Sequence, residues 1–482
     1  MFWRGVLGYL PVNVAQGVVG LLTIVVFTRL LTPADYGVYA IAYSAMVLAH
    51  TALFTWTEAA MARFQARARA RGELADHVVT LYRAWSVLGL GFPVLAGLAV
   101  WLAPVDWALK VAISSGLAAI LFRSLIKLVQ ERRRADGEVA SAATLDIAQT
   151  VGGFAVGVVC AAVGLGGASP LIGLAVVSAI SLVFVLPREL SLMKGGAWKR
   201  SRAMVYAGYG VPVSLSLILS LVISSTDRFV LAAFLGEAET GIYHAGYSLA
   251  NRTLDVVFIW LGMAGGPAIV AALERGGKEA MQRAAREQIS FMVLLTLPAA
   301  IGLALVAHPL SQVLVGPAMA EGAARVTPWI AVAAFLSGIT TYYLHQAFTL
   351  GRRTELLLAA MVAPAVLNLV LNLVLVPRFG MDGALWATAA SYAVGAGASW
   401  LFGRRVIRMP LPGGAILRTA IACVPMALAV MAIPAFGGFL ELMAKAATGV
   451  IVFGLVGWML DAGSLRSQGP ALLRSLRQGA AA

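Results

Sequence analysis

A stretch of this chain returns, lightly edited, 204 positions further on. Asp35-Tyr36-Gly37-Val38-Tyr39-Ala40-Ile41-Ala42-Tyr43-Ser44 reappears as Glu239-Thr240-Gly241-Ile242-Tyr243-His244-Ala245-Gly246-Tyr247-Ser248. Gly37/Gly241, Tyr39/Tyr243, Tyr43/Tyr247 and Ser44/Ser248 fall in register. Upstream, Gly8-Tyr9-Leu10-Pro11 is echoed by Gly208-Tyr209-Gly210-Val211-Pro212. A repeat of this kind restricts the chain to two matching halves. In a very apolar sequence those halves are bundles of membrane helices, with something bound between them.

The apolar character is explicit. The 482 residues are 60% hydrophobic and 12% charged, about half the charge of an ordinary soluble protein. Apolar runs of about 20 residues are each long enough to cross a hydrocarbon core of about 30 Å. Fourteen are expected, near 5–27, 37–57, 80–103, 107–129, 139–162, 166–187, 205–234, 241–270, 288–315, 325–350, 355–376, 380–403, 414–436 and 438–460. The first is expected to be a retained helix rather than a cleaved leader. Six runs separate the two tyrosine motifs, so both copies point the same way and the repeat is parallel. The expected plan is all-α: an N-terminal lobe over 1–190, a basic cytoplasmic linker over 191–204, a second six-helix lobe over 205–408, then two extra helices and a cytoplasmic tail over 409–482. Cys160 and Cys423 fall inside apolar runs as free thiols, supporting neither a disulfide nor a metal site.

A net charge of +14 invites nucleic acid as a partner, but its placement points elsewhere. With the amino terminus in the cytoplasm, the inner links hold Arg63/Arg67/Arg69/Arg71, Arg132–Arg134, Lys199/Arg200/Arg202 and Arg404/Arg405/Arg408. The outer links hold Arg29, Lys110, Arg325 and Arg378. This positive-inside bias predicts an inner-membrane protein with both termini inside. The excess charge then faces anionic lipid headgroups rather than nucleic acid. The basic segments 58–79, 188–204 and 272–287, and the tail 471–477, are expected to lie along the membrane surface.

Arg29-Leu30-Leu31-Thr32-Pro33-Ala34-Asp35-Tyr36-Gly37-Val38-Tyr39 resembles the R-L-L-x-P-x-x-Y-G-x-Y signature after the first helix of Wzx-like polysaccharide flippases, in the multidrug/oligosaccharidyl-lipid/polysaccharide exporter superfamily. Asp227-Arg228-Phe229 through Leu235-Gly236 to Gly241-Ile242-Tyr243 resembles their second-half counterpart. The resemblance implies a V-shaped, MATE-like pair of bundles that opens alternately to each side. It also implies a substrate: an undecaprenyl-pyrophosphate-linked oligosaccharide repeat unit, turned from the inner to the outer leaflet, with other glycan-biosynthesis membrane proteins as partners. The first helix departs from the lipid II flippase pattern, since its arginines, Arg4 and Arg29, sit only at its ends.

A charge at mid-bilayer costs about 2.5–3.5 kcal/mol on insertion scales, so a retained one faces protein or water. Arg252 and Asp255, three apart near mid-depth in the eighth helix, share a face. Arg252 is the expected ligand of pyrophosphate oxygens, which a guanidinium fork matches, and Asp255 would orient it; a self-satisfied ion pair is the plain alternative. Asn368 and Asn372 form a polar stripe that can line the cavity or bond between helices. Coupling or gating candidates are His50, Asp227, Arg228 and Asp146, with Pro11 and Pro212 as matched bending points. Asp227 and Arg228, as neighbours, should point about 100° apart rather than cancel each other. His50 can titrate near neutral pH but can equally be a packing residue. No cofactor is expected beyond a coupling H+ or Na+.

Two rivals frame the expectation. A membrane glycan ligase or polymerase needs catalytic acids or bases on a sizeable outer loop, and the outer links hold only scattered Glu237, Glu239, Asp382 and Glu441. A cation-coupled drug antiporter of the same superfamily favours acidic cavities and twelve helices.

Overall fold

Thr32 and Pro33 explain the start of the first signature: they begin a helix. The Thr32 side chain accepts a hydrogen bond from the Asp35 amide at 3.1 Å and donates to the Asp35 carboxylate at 2.7 Å. Pro33 occupies the first helical position, where no amide donor is required. In the second copy, Gly236 (φ 86) makes the turn instead, and the next helix starts at Glu237.

The structure, a computed structural model, describes residues 2–464 and 466, with side chains from Val12 onward except those of residues 354 and 464. The tail 471–477 therefore lies outside the described residues, as does the side chain of Pro11. The chain runs α1 (Phe2–Leu30), α2 (Pro33–Leu53), α3 (Thr55–Ala70), α4 (Leu74–Leu102), α5 (Trp107–Ala135), α6 (Val139–Ile147), α7 (Gly153–Ala162), α8 (Ser169–Leu192) and α9 (Arg200–Leu235). It continues through α10 (Glu237–Leu305), α11 (Ala307–Leu314), α12 (Pro317–Ile339), α13 (Gln346–Leu350), α14 (Thr354–Phe379), α15 (Met381–Gly403), α16 (Gly413–Met431) and α17 (Gly438–Met459). Two π-turns interrupt this series, Ala148–Gly152 between α6 and α7 and Thr340–Leu344 between α12 and α13.

Twelve helical stretches among the described residues are long and apolar enough to cross a membrane. One of them, Glu237–Leu305, bends at Gly277 (φ 66), contains the expected run 241–270 and begins the run 288–315, which ends through α11. Another expected run is the separate helix α15. The arrangement is thus consistent with fourteen spans. One expected run differs in its end: 37–57 stops at Leu53, and α3 begins at Thr55.

The chain divides into two compact units, Met1–His244 and Ala245–Ala482. In the first, Met61, Val78, Leu81, Tyr82, Ile126, Leu128, Val129, Val185 and Tyr206 form a core shared by α3, α4, α5, α8 and α9. A buried charge cluster closes one end of it. Arg132, 1% exposed, donates to both Glu189 oxygens at 2.8 and 2.6 Å and to Asp136 at 2.9 Å, while Tyr82 donates to Glu189 at 2.9 Å. Here, too, α9 packs on α2, α3 and α4. In the second unit α14 pairs with α15, α15 with α12, and α16 with α17, which also lies on α11. Large apolar side chains such as Val94, Leu102, Phe184, Leu440 and Val450 stay exposed along the helices, which a hydrocarbon surround tolerates and water does not.

The repeat also explains its glycines. A Cβ on Gly37 would collide with the Glu237 carbonyl, and one on Gly241 with the Pro33 carbonyl. The first turns of α2 and α10 touch backbone to backbone, each copy of the motif presenting the glycine that allows it.

Candidate functional site

Arg252 lies about four turns into α10 and is half-buried. It makes no hydrogen bond or ion pair among the described residues, although its charge acts on Asp255. Asp255, one turn further, is also half-buried and has no cationic nitrogen within ion-pair distance among the described residues. Its one hydrogen bond comes from the Tyr342 hydroxyl at 3.3 Å. The self-satisfied Arg252–Asp255 pair is therefore not what forms. The two share a face, as their spacing demanded, yet each keeps its charge open.

Asp255 borders a cavity of about 80 Å³. Asn251, Asp255 and Phe258 line it from α10; Ala334, Ser337, Gly338, Thr341 and Tyr342 line it from α12 and the π-turn. Phe258 stacks on Tyr342 with ring centroids 6.0 Å apart and planes 9° apart. Gly338 admits the Phe258 ring, where any Cβ would overlap it. This aromatic pair fixes where the Tyr342 hydroxyl points. π-turns recur at functional sites, and this one sets two consecutive polar residues against the half-buried Asp255 carboxylate. Sequence reasoning passed over Asn251, Ser337, Thr341 and Tyr342; the signal for the last two was the run Thr340-Thr341-Tyr342-Tyr343 inside an otherwise apolar segment.

A second polar centre occupies the first unit. Asp227 and Arg228 are both buried, at 0% and 4% exposure. Contrary to the expectation that neighbours diverge, Arg228 folds back and its Nη1 reaches Asp227 Oδ1 at 3.2 Å. A long, flexible arginine stem permits this where a short side chain would not. Arg228 Nε also donates to His244 Nδ1 at 3.0 Å, and Tyr243 hydrogen-bonds Asp227 Oδ2. Tyr36 and Tyr39 of α2 pack their rings on His244, centroids 5.5 and 6.0 Å away. The repeated tyrosines thus surround a charged centre that only the second copy carries. Shifted by the repeat, Asp227 and Arg228 become Thr23 and Ile24.

Residues 26–323 match the family of polysaccharide biosynthesis proteins, a span that includes both tyrosine motifs, Asp227, Arg228, Arg252 and Asp255. The chain belongs to this family. It is a Wzx-like flippase family. Over 265 residues the chain is 29% identical to the uncharacterized membrane protein YabM of Bacillus subtilis (strain 168), covering 51% of this chain and 49% of that one. It thus spans about half the length of that curated relative. Its fold is similar to that of the lipid II flippase MurJ in an inward closed conformation, with a TM-score of 0.75 at 12% identity over 93% of this chain and 98% of that one. It is also similar to an inward-facing multidrug resistance MATE transporter, with a TM-score of 0.67 at 14% identity over 82% and 94% of the two chains. The protein is a multi-pass membrane protein.

The remaining candidates of this Wzx-like protein are engaged within their own units. His50 Nε2 lies 2.9 Å from Glu58 Oε1, joining the end of α2 to α3. Asp146, without a partner nearby in sequence, is held by Lys127 at 3.2 Å and Arg134 at 2.7 Å. Asn368 and Asn372 are fully buried on α14. Asn372 Nδ2 donates to the Asn368 carbonyl at 2.9 Å and side chain at 3.2 Å, leaving Asn368 Nδ2 and Asn372 Oδ1 without partners. Pro11 and Pro212 lie inside α1 and α9, and both helices run on through them. Each proline removes one helical hydrogen bond without ending its element.

Proposed function

We propose that this protein flips a polyprenyl-pyrophosphate-linked oligosaccharide repeat unit from the inner to the outer leaflet of the bacterial inner membrane by alternating access, for surface polysaccharide biosynthesis. The observation that carries this is Arg252: a half-buried arginine well inside a membrane helix, with no ion pair of its own. An unpaired guanidinium at that depth is costly unless it meets water or an anion. Its planar fork suits two phosphate oxygens at once. Membership of a polysaccharide biosynthesis family supports an oligosaccharide cargo. The fold shared with a flippase of a lipid-linked cargo supports a headgroup carried on a membrane lipid.

Arg252→Ala is expected to abolish leaflet transfer of a polyprenyl-pyrophosphate oligosaccharide in proteoliposomes, with normal amounts of folded protein. Arg252→Lys should retain part of it, because a point charge replaces a bidentate fork. Full transfer by the alanine variant removes Arg252 from the site. Drug efflux without lipid turnover would make the protein an antiporter instead.

A further inference from the structure

We infer that the small cavity between α10 and the π-turn Thr340–Leu344 receives the acetamido group of an N-acetylated sugar, the sugar nearest the pyrophosphate of the cargo. This rests on the reading that Arg252 takes the pyrophosphate, and it adds which sugar chemistry the second unit selects.

Three observations converge. The first is layering. Phe258, Ala334 and Gly338 are buried at the floor of the cavity, and Asn251, Asp255, Ser337 and Tyr342 are half-buried along its walls. Thr341 is exposed at the mouth. An apolar floor with a few polar groups above it orients a ligand that is apolar at its tip and polar behind it. A lone hydroxyl would leave the floor unfilled and forfeit its contacts.

The second is the set of donors and acceptors. An ionised carboxylate only accepts, and the one hydrogen bond to Asp255, from Tyr342, leaves lone pairs open. The occupant must therefore present a donor. Arg252, one turn away, already acts on Asp255 with its positive charge, so that donor can be neutral. The Asn251 amide and the Ser337 and Thr341 hydroxyls make no hydrogen bond among the described residues, and each can donate to a carbonyl oxygen. An acetamido group answers all of these demands. Its N–H faces Asp255, its carbonyl faces the Asn251, Ser337 and Thr341 donors, and its methyl rests on Phe258, Ala334 and Gly338.

The third is size and place. About 80 Å³ corresponds to roughly five to eight water-sized atoms, at 10–15 Å³ each. That volume takes an acetamido group and leaves the sugar ring outside. Asn251 directly precedes Arg252, and Asp255 follows it by one turn. A pyrophosphate on Arg252 thus sets its first sugar over the cavity. Phe258 stacks on Tyr342 and Gly338 admits the Phe258 ring, so the walls keep their shape before the cargo arrives.

The test compares two polyprenyl-pyrophosphate lipids binding to the purified full-length protein in detergent. One carries N-acetylglucosamine; the other carries glucose, with a hydroxyl at the same carbon. The wild type should bind the acetamido lipid at least about tenfold more tightly, as a site built to pair a substrate N–H discriminates against its absence. Asp255→Ala, and Thr341→Val at its exposed position, should each erase most of that preference. Ala334→Val, which fills the floor, should bring the acetamido lipid down to the affinity of the glucose lipid. Arg252→Ala should weaken both lipids alike and keep their ratio. Unchanged affinity of Arg252→Ala for both lipids would sink the phosphate reading and, with it, the placement of the first sugar. Equal affinity of the wild type for the two lipids, or an undiminished preference in both Thr341→Val and Ala334→Val, overturns the acetamido site and leaves the assignment of Arg252 standing.

Discussion

Two arginines, twenty-four residues apart, show how environment divides structure from function. Arg228 is enclosed: it meets Asp227, His244 and the Ser224 carbonyl, and Tyr243 completes the other side of the carboxylate. Removing one partner of a buried ion pair leaves an uncompensated charge and costs about 3–5 kcal/mol. Asp227→Ala should therefore lower the thermal stability of the purified protein sharply, and Asp227→Ala with Arg228→Met should recover much of the loss. A double variant as unstable as the single one would show that the pair matters through its shape and not its charge. Arg252 has no such partner, so its loss orphans nothing. Arg252→Ala should shift stability by about 0.5 kcal/mol or less, as surface substitutions do, while transport disappears. The sequence exposed both arginines equally well. It could not reveal which was already satisfied, because the partners His244 and Tyr243 lie 16 and 15 residues beyond Arg228 across a helix junction.

At the level of helices, hydropathy made most elements legible, because each apolar run must be long enough to satisfy its own backbone in lipid. It was silent on features that depend on neighbours. The stop at Leu53 and restart at Thr55 carry no glycine or proline to announce them. The polar run Thr340-Thr341-Tyr342-Tyr343 marks one wall of the Asp255 cavity, but nothing local told which residues it faced until α10 and α12 were set together. The Arg132–Glu189 pair joins α5 to α8 across 57 residues, a distance that no local pattern reports. The repeated glycines, in contrast, were conspicuous but unexplained. They mark the crossing of the first turns of α2 and α10, and this makes a prediction about the element. Gly241→Val forces a branched side chain onto the Pro33 carbonyl. The expected cost is about 1–3 kcal/mol, the range for overpacking, with Gly241→Ala milder. Equal melting temperatures for wild type, alanine and valine variants would mean that the crossing is not a tight contact in the membrane.

For the whole molecule, the charge of the turns decides which face of the membrane each one meets. Arginine and lysine accumulate in alternate links, so the positive-inside rule predicts that the basic links face the cytoplasm. The chain is well suited to a direct test, because it has two cysteines: Cys423 is buried and Cys160 half-buried. Replacing both with alanine should leave the fold intact and provide a background free of thiols. Single cysteines can then be placed at exposed turn positions, Arg71, Lys194 and Arg404 on the basic side and Asp106, Leu165 and Ala435 on the other. In intact spheroplasts a membrane-impermeant maleimide should label Asp106→Cys, Leu165→Cys and Ala435→Cys. Arg71→Cys, Lys194→Cys and Arg404→Cys should react only after permeabilisation. The inverse pattern would turn the protein over and place the entry to α10, with its Gly37/Gly241 crossing, on the cytoplasmic side. A mixed pattern within one group would break the alternation itself, and with it the parallel relation between the two tyrosine motifs, because that relation requires an even number of crossings between Gly37 and Gly241.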